Sequence, residues 1–226
     1  MTMSTETVAL KLGASPEVAK ALEDCCIKYG ITTMLQKAHF LGQMAQESQN
    51  YSRVVENMNY SAKRMAEVWP GRYATPETAK LPEKQRQPSA KAIALAKEGA
   101  RAIANDVYGG RMGNRPGTND GWNYRGQAYK MITGLNNVRA YSFDTYGDDR
   151  VVRDPTMLQR LPDSVYSGGW FWKTNKIGPH ADRDDAVAVG RLINIGTLST
   201  TSLPIGHAQR VANTERAKKL FKEMTQ

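Results

Sequence analysis

The chain has 226 residues, 40% of them hydrophobic, with a formal net charge of +9 and a pI near 9.5. That length suits one domain or one two-lobed unit with a real core, and no hydrophobic run approaches the roughly 20 residues of a membrane span. The positive balance favours an anionic partner, without choosing among nucleic acid, anionic glycan and membrane surface, and it serves solubility equally well.

The opening Met1-Thr2-Met3-Ser4-Thr5-Glu6 has neither the basic start nor the apolar stretch of a secretory signal. The expectation is a product made in the cytosol, which needs another agent to reach any substrate outside the membrane. Ser15-Pro16-Glu17 predicts a helix start, with a capping serine, proline in the first turn and an acid against the dipole. That helix runs through Val18, Ala21, Leu22 and Cys25 to a stop at Gly30. Cys25 and Cys26 are the two cysteines; adjacent helical side chains diverge, so they read as buried small hydrophobes rather than a disulfide. His39, His180 and His207 are scattered without metal-ligand spacing, and neither a metal nor another cofactor is expected.

A second helix is predicted over Thr33 to Ser48, with Met34, Ala38, Leu41 and Ala45 as its apolar stripe. A loop follows, then a helix capped by Ser61 that carries Met65 and Val68. Pro76, Pro82, Pro88 and several lysines mark about 70–90 as an exposed hinge or flap without a core stripe. Ala90 to Val107 reads as one alanine-rich helix, and Gly109 to Gly121 as a long loop of the kind that often carries function. Further helices are expected around Gln127 to Gly134, Asn136 to Tyr146, Asp163 to Thr174, Asp184 to Asn194 and His207 to Met224. Strand-like alternation is scarce, and neither an internal repeat nor a separate cell-wall-binding domain is visible. The expectation is a mainly α chain with little or no β-sheet, forming a single catalytic domain over 1–226.

Glycosidic hydrolysis needs one protonated carboxyl for the leaving oxygen and one ionised carboxylate to activate water or attack the sugar. On the second helix, 100° per residue places Glu47 only ~20° around from Phe40, at the edge of the apolar arc. Apolar neighbours disfavour a charged carboxyl, which suits an acid. Glu56 lies nine residues on. On an unbroken helix it would point the other way, but Ser48-Gln49-Asn50-Tyr51-Ser52 is turn-prone and lets the chain bend back, so that Glu56 could face Glu47 across a cleft. By geometry alone, Glu56 reads more readily as a solvated loop acid.

Ala38-His39-Phe40-Leu41-Gly42-Gln43-Met44-Ala45-Gln46-Glu47-Ser48, with Glu56-Asn57-Met58-Asn59-Tyr60-Ser61-Ala62, resembles the first active-site segment of family 19 glycoside hydrolases, the chitinases and related phage endolysins. Gly110-Arg111-Met112-Gly113-Asn114 and Asp120-Gly121-Trp122-Asn123-Tyr124-Arg125-Gly126 resemble their central loop. Ile132-Thr133-Gly134-Leu135-Asn136-Asn137, Ser167-Gly168-Gly169-Trp170-Phe171-Trp172 and Arg191-Leu192-Ile193-Asn194 resemble later segments, in the right order. The resemblance implies a lysozyme-like two-lobed helical fold, an inverting mechanism and no metal. It carries the general acid to Glu47 and the general base to Glu56, with Thr133 helping to hold the attacking water. Asn137 and Asn194 fall on amide positions that bind sugar groups, and Arg210 on a basic position near the second carboxylate. Tyr60 belongs to the same segment and joins the substrate-binding candidates.

Several of these residues have a second reading. Thr133 also reads as a helix cap and Asn194 as a helix terminator. Arg210 shares a stripe with Ala217, Phe221 and Met224, and reads either as paired with Glu56 or another acid, or as snorkelling to the surface. Trp170-Phe171-Trp172 reads mostly as core, whereas Trp122 and Tyr124 in the glycine-rich loop are the aromatic candidates for touching substrate. Lys218, Lys219 and Lys222 read as a solvated face. Gln46, Met131 and Ile195 depart from the usual histidine, glutamine and glycine, which puts chitin in doubt more than hydrolysis. The expectation is a monomeric endolysin-type muramidase that acts on peptidoglycan strands, aided by attraction to an anionic envelope surface and with no nucleic-acid partner. A chitinase and a non-catalytic basic glycan- or nucleic-acid-binding protein are the alternatives.

Overall fold

The computed structural model describes residues 4–223. It is mainly helical, and the described residues hold no sheet, only isolated bridges such as Val55–Gln127, Ala74–Pro88 and Gln127–Ile132. In chain order the helices are α1 (Thr5–Lys11), α2 (Pro16–Tyr29), α3 (Met34–Glu47), α4 (Ala62–Val68), α5 (Pro70–Tyr73), α6 (Ala90–Glu98), α7 (Ala100–Tyr108), α8 (Asp120–Asn123), α9 (Leu135–Tyr146), α10 (Arg150–Arg153), α11 (Asp163–Thr174), α12 (Gly178–Asp182), α13 (Ala186–Asn194) and α14 (His207–Glu223).

Local chemistry sets many of the boundaries. Ser15, Thr33 and Ser61 each accept a backbone N–H three residues on, which satisfies a donor that the first helical turn leaves open. Gly30 ends α2 in the left-handed region at φ 69°. The stretch read as one helix from Ala90 to Val107 is two, because Gly99 adopts φ 92° and ψ −174°, where any side chain is strained. The helix expected over Gln127 to Gly134 is absent. There, Gln127 and Ile132 exchange both backbone hydrogen bonds across a tight reversal, with Ala128 at φ 65° and Met131 at φ 56°.

The chain divides into two compact units. The first comprises the residues up to Val55, Gly126–Ile132 and everything from Arg139 on. Its core joins Val8, Leu22, Phe40, Leu41, Met44, Val165, Trp172, Ile193 and Phe221. Phe40 meets Trp172 edge to face, with ring centroids 5.6 Å apart. Trp170 and Trp172 are buried and Phe171 packs partly against the core, as expected for that triplet. Cys25 and Cys26 are free and buried, and burial pushes the Cys26 thiol up to about 12. Ala38, Leu41 and Ala45 are core, but Met34 at the start of the same stripe is exposed, and Met224 lies outside the described residues. α14 lies along α3, and Gly42 makes the approach possible: a Cβ there would sit 2.6 Å from the Thr214 Oγ1 and 2.9 Å from its Cα.

The second unit takes Glu56–Arg125 and Thr133–Val138. Met58, Met65, Tyr73, Ala92, Ile103, Ala104 and Val107 form its core, with Trp69 and Trp122 against it. The proline-rich stretch after Pro70 is largely exposed, yet it supplies a core residue that its composition does not reveal. Tyr73 is fully buried and donates its hydroxyl hydrogen to Asp106 at 2.6 Å. Lys63 ties the same stretch down by donating to the carbonyls of Lys84 and Arg86.

Candidate active site

Glu47 is the last residue of α3, and its position rests on how the chain leaves that helix. Ser48 closes the helix by donating to the Met44 carbonyl at 2.6 Å and accepting the Tyr51 N–H at 2.8 Å. Gln49, Asn50 and Tyr51 then adopt φ of 52°, 56° and 62°, one turn of left-handed backbone built without glycine. Such a conformation costs roughly 1–2 kcal/mol per residue and persists where the surroundings over-determine it. Here they do: Tyr51 is buried, donates its hydroxyl to the Leu41 carbonyl at 2.9 Å and meets the Tyr129 ring at 6.0 Å. The turn-prone stretch thus ends the helix as read from sequence, by a device that the sequence did not announce.

The surroundings of Glu47 are charged rather than apolar, which corrects the expectation. Arg210 donates from Nη2 to the Glu47 Oε1 at 2.7 Å, from Nη1 to Gln43 Oε1 at 2.7 Å and from Nε to the Ile205 carbonyl at 2.9 Å. The Arg210 side chain is 4% exposed and that of Glu47 12%. Of the two readings of Arg210, pairing with an acid holds and snorkelling does not; the acid is Glu47, not Glu56. The cause is the contact of Gly42 with Thr214, which brings Arg210, one turn earlier on α14, beside Gln43 and Glu47 on α3. Sequence reading missed Gln43, although it lies four residues before Glu47 and hence on the same face.

Asn194 ends α13, as its second reading has it, and its Oδ1 accepts the Ile205 N–H at 2.9 Å. Arg191 donates to the carbonyls of Ser202 and Thr201, both at 2.9 Å. With Arg210 on the Ile205 carbonyl, three side chains pin the loop before α14, and Glu47, Arg210 and Asn194 form one connected group.

In the other unit, Glu56 is half-buried and accepts the Tyr108 hydroxyl through both oxygens, at 2.8 and 2.9 Å. A loop acid left to solvent would have no such anchor. Burial raises the Tyr108 phenol well above its usual range, and the Glu56 charge adds to this, so the phenol stays a donor. Tyr108 is fixed in turn at the end of α7, where its carbonyl accepts Asn114 Nδ2 at 3.0 Å. Neither Tyr108 nor Arg125 was singled out from sequence. The Arg125 guanidinium lies 3.7 Å from the centroid of the Trp122 ring and donates to the Trp122 carbonyl at 2.7 Å. Burial lowers the Arg125 pKa, and the Glu56 charge works the other way.

Tyr60 packs its ring on Trp69 at 5.0 Å. Tyr124, a candidate for touching substrate, is buried, and its carbonyl accepts the Gly134 N–H at 2.8 Å. Asn137 is exposed and donates to the Thr133 carbonyl at 2.9 Å. In the first unit Arg210 holds Glu47, and in the second Tyr108 holds Glu56; both carboxylates are half-buried.

No family model matches the chain. A protein from Haemophilus influenzae named as a glycosyl hydrolase family 19 domain-containing protein is 31% identical over 170 residues, which cover 75% of each sequence. The chain belongs to glycosyl hydrolase family 19. Its general activity is therefore glycoside hydrolysis, and the helical architecture agrees with that membership.

Proposed function

We propose that this family 19 hydrolase cuts the glycan strands of bacterial peptidoglycan as an endolysin, by an inverting mechanism with Glu47 as general acid and Glu56 as general base. The observation that carries the assignment is the separate anchoring of the two carboxylates. Glu47 is oriented by Arg210, which leaves its second oxygen outside that bond, and Glu56 is oriented by Tyr108. A catalytic carboxyl whose rotamer is fixed before substrate arrives loses less freedom in the transition state. In this reading Glu47 protonates the leaving oxygen, Glu56 takes a proton from water, and Thr133 helps to hold that water. Asn137, Asn194, Tyr60 and Trp122 meet the sugars, and Tyr124 supports that surface from the interior.

The +9 charge supports an anionic wall as the place of action. Lysis would follow once the membrane is made permeable. The test is a zymogram on peptidoglycan and on glycol chitin, run with the parent, Glu47→Gln and Glu56→Gln. Clearing of peptidoglycan by the parent and by neither variant is expected, because an amide is nearly isosteric but transfers no proton. Clearing of glycol chitin alone would make the enzyme a chitinase, and a lytic, folded Glu47→Gln protein would remove the acid. On short oligosaccharides the first reducing sugar should be the α-anomer, and a β-anomer by NMR would make Glu56 a nucleophile.

A further inference from the structure

The second unit holds two cations on one ring, and neither is paired with an acid. Trp122 is brought against α7 by its neighbours. Gly121 lets α8 touch that helix, since a Cβ there would sit 2.5 Å from the Ala104 oxygen and 2.6 Å from the Asn105 Cα. Asn105 then accepts the Trp122 backbone N–H through Oδ1 at 2.8 Å, and its Nδ2 donates to Asn119 at 3.0 Å. Arg101 stands one turn before Asn105 on the same face of α7, and its guanidinium carbon lies 5.7 Å from the centroid of the Trp122 ring. Arg125, three residues after Trp122, places its guanidinium carbon 3.7 Å from the same centroid and donates to the Trp122 carbonyl at 2.7 Å.

The ion pairs of this unit join Arg64 to Glu67 and Glu83, Arg72 and Lys91 to Asp106, and Arg115 to Asp120. Among the described residues, none includes Arg101 or Arg125. Glu56, whose charge acts on Arg125, has both oxygens on the Tyr108 hydroxyl. The Arg125 Nε is buried without a partner. A cation on an aromatic face is a modest gain at the surface, which accounts for one arginine. A second like charge on the same ring is repelled by the first, so packing does not account for two. Guanidiniums are planar forks that meet carboxylates or phosphates with paired hydrogen bonds, and of these two the proposed substrate brings carboxylates. We infer that Arg101 and Arg125, held on Trp122, form a binding site for the free carboxylates of the peptide stems that peptidoglycan strands carry.

This assignment rests on peptidoglycan being the substrate, as proposed above. The test uses solubilised strands freed of phosphate polymers, compared with the same strands after their carboxyls are converted to amides. Arg101→Gln is the first variant, because Arg101 is exposed and its side chain makes no hydrogen bond among the described residues, so the fold should stand. A lost hydrogen bond between charged groups should raise its KM on the native strands roughly tenfold or more, with kcat little changed. On the amidated strands the parent should lose most of its advantage, and the gap between the two should close. Arg125→Gln should act in the same direction. Lys97→Gln removes the same charge from an exposed position of the same unit and should raise KM less than about twofold, as screening of exposed charges implies. An unchanged KM in folded Arg101→Gln overturns the site. So does an equal rise in Lys97→Gln, which would make the effect general attraction, and so does a gap that persists on amidated strands. If the parent cleaves neither kind of strand, the proposed substrate falls, and equilibrium binding of both kinds to the Glu47→Gln protein decides the site separately. Tighter binding of native strands that Arg101→Gln abolishes would uphold it, and equal binding would overturn it.

Discussion

Arg210→Met tests the clamp on Glu47 directly. The guanidinium makes three hydrogen bonds, and its loss strands the Gln43 Oε1 of a fully buried residue and a Glu47 carboxylate that is 12% exposed. Removing one partner of a buried pair costs about 3–5 kcal/mol. The residual contact of Glu47 with water puts this site near the low end, at about 3 kcal/mol. At about 2–4 °C per kcal/mol for domains of this size, the variant should melt roughly 6–12 °C below the parent. In a Glu47→Gln background there is no charge to strand. The same substitution should then cost about 1–2 kcal/mol, the worth of ordinary hydrogen bonds. Thermal unfolding of the four proteins closes a double-mutant cycle with a coupling of about 1–2 kcal/mol. The reasoning fails if Arg210→Met melts within about 2 °C of the parent, or if its cost is equal in both backgrounds.

Tyr108→Phe removes the donor to both Glu56 oxygens; a bond to a charged group contributes about 1.5–3 kcal/mol, so kcat should fall roughly tenfold or more with KM little changed. Equal kcat in steady-state assays would mean that the hydroxyl does not orient Glu56. Burial holds the His39 imidazole below its usual value of 6.5, and its contact with Asp184 only partly offsets this. The unfolded histidine thus binds protons more readily than the folded one, so its contribution is complete above about pH 6.5 and is lost as pH falls through the folded value. The melting temperature should decline between pH 7 and 5, and more shallowly in His39→Gln; parallel declines would place the effect elsewhere. If the basic charge recruits the enzyme to walls, salt should raise the apparent KM on intact walls and leave turnover on a short neutral oligosaccharide alone, since exposed charges are screened over about 8 Å. Lys219→Glu with Lys222→Glu should mimic the salt, and unchanged wall binding by that double variant would argue against recruitment.

Lys218 is left out of that last variant because it does not belong to the solvated face that its spacing suggested. Its ammonium bonds Asp184 at 2.5 Å and Glu215 at 2.8 Å, and the side chain is 12% exposed. This marks where sequence reading succeeds and where it stops. Caps act within four residues, so Ser15, Thr33 and Ser61 were legible as helix starts. Gly99 was not, because one glycine in an alanine-rich run predicts a weak helix rather than a break. The reversal at 127–132 puts Ala128 and Met131 in left-handed backbone, which their residue types do not suggest, and only packing decides it. Of the candidate site, the carboxylates were singled out by resemblance to known motifs. Their anchors were not: Arg210 reaches Glu47 from 163 residues away, and Tyr108 reaches Glu56 from 52. No local pattern encodes such a pairing.

That separation of 163 residues also sets an order of events during synthesis. A growing chain completes α3, and Glu47 with it, long before Arg210 leaves the ribosome. Until α14 docks at Gly42, Glu47 lacks its bond to Arg210 and the face of α3 that α14 covers is bare. Contacts so distant in sequence form late, because loop closure must be met before they repay it. A nascent or truncated chain that stops short of α14 therefore carries the carboxylates in an unassembled setting. Assembly of the Glu47 side then becomes a checkpoint on completeness.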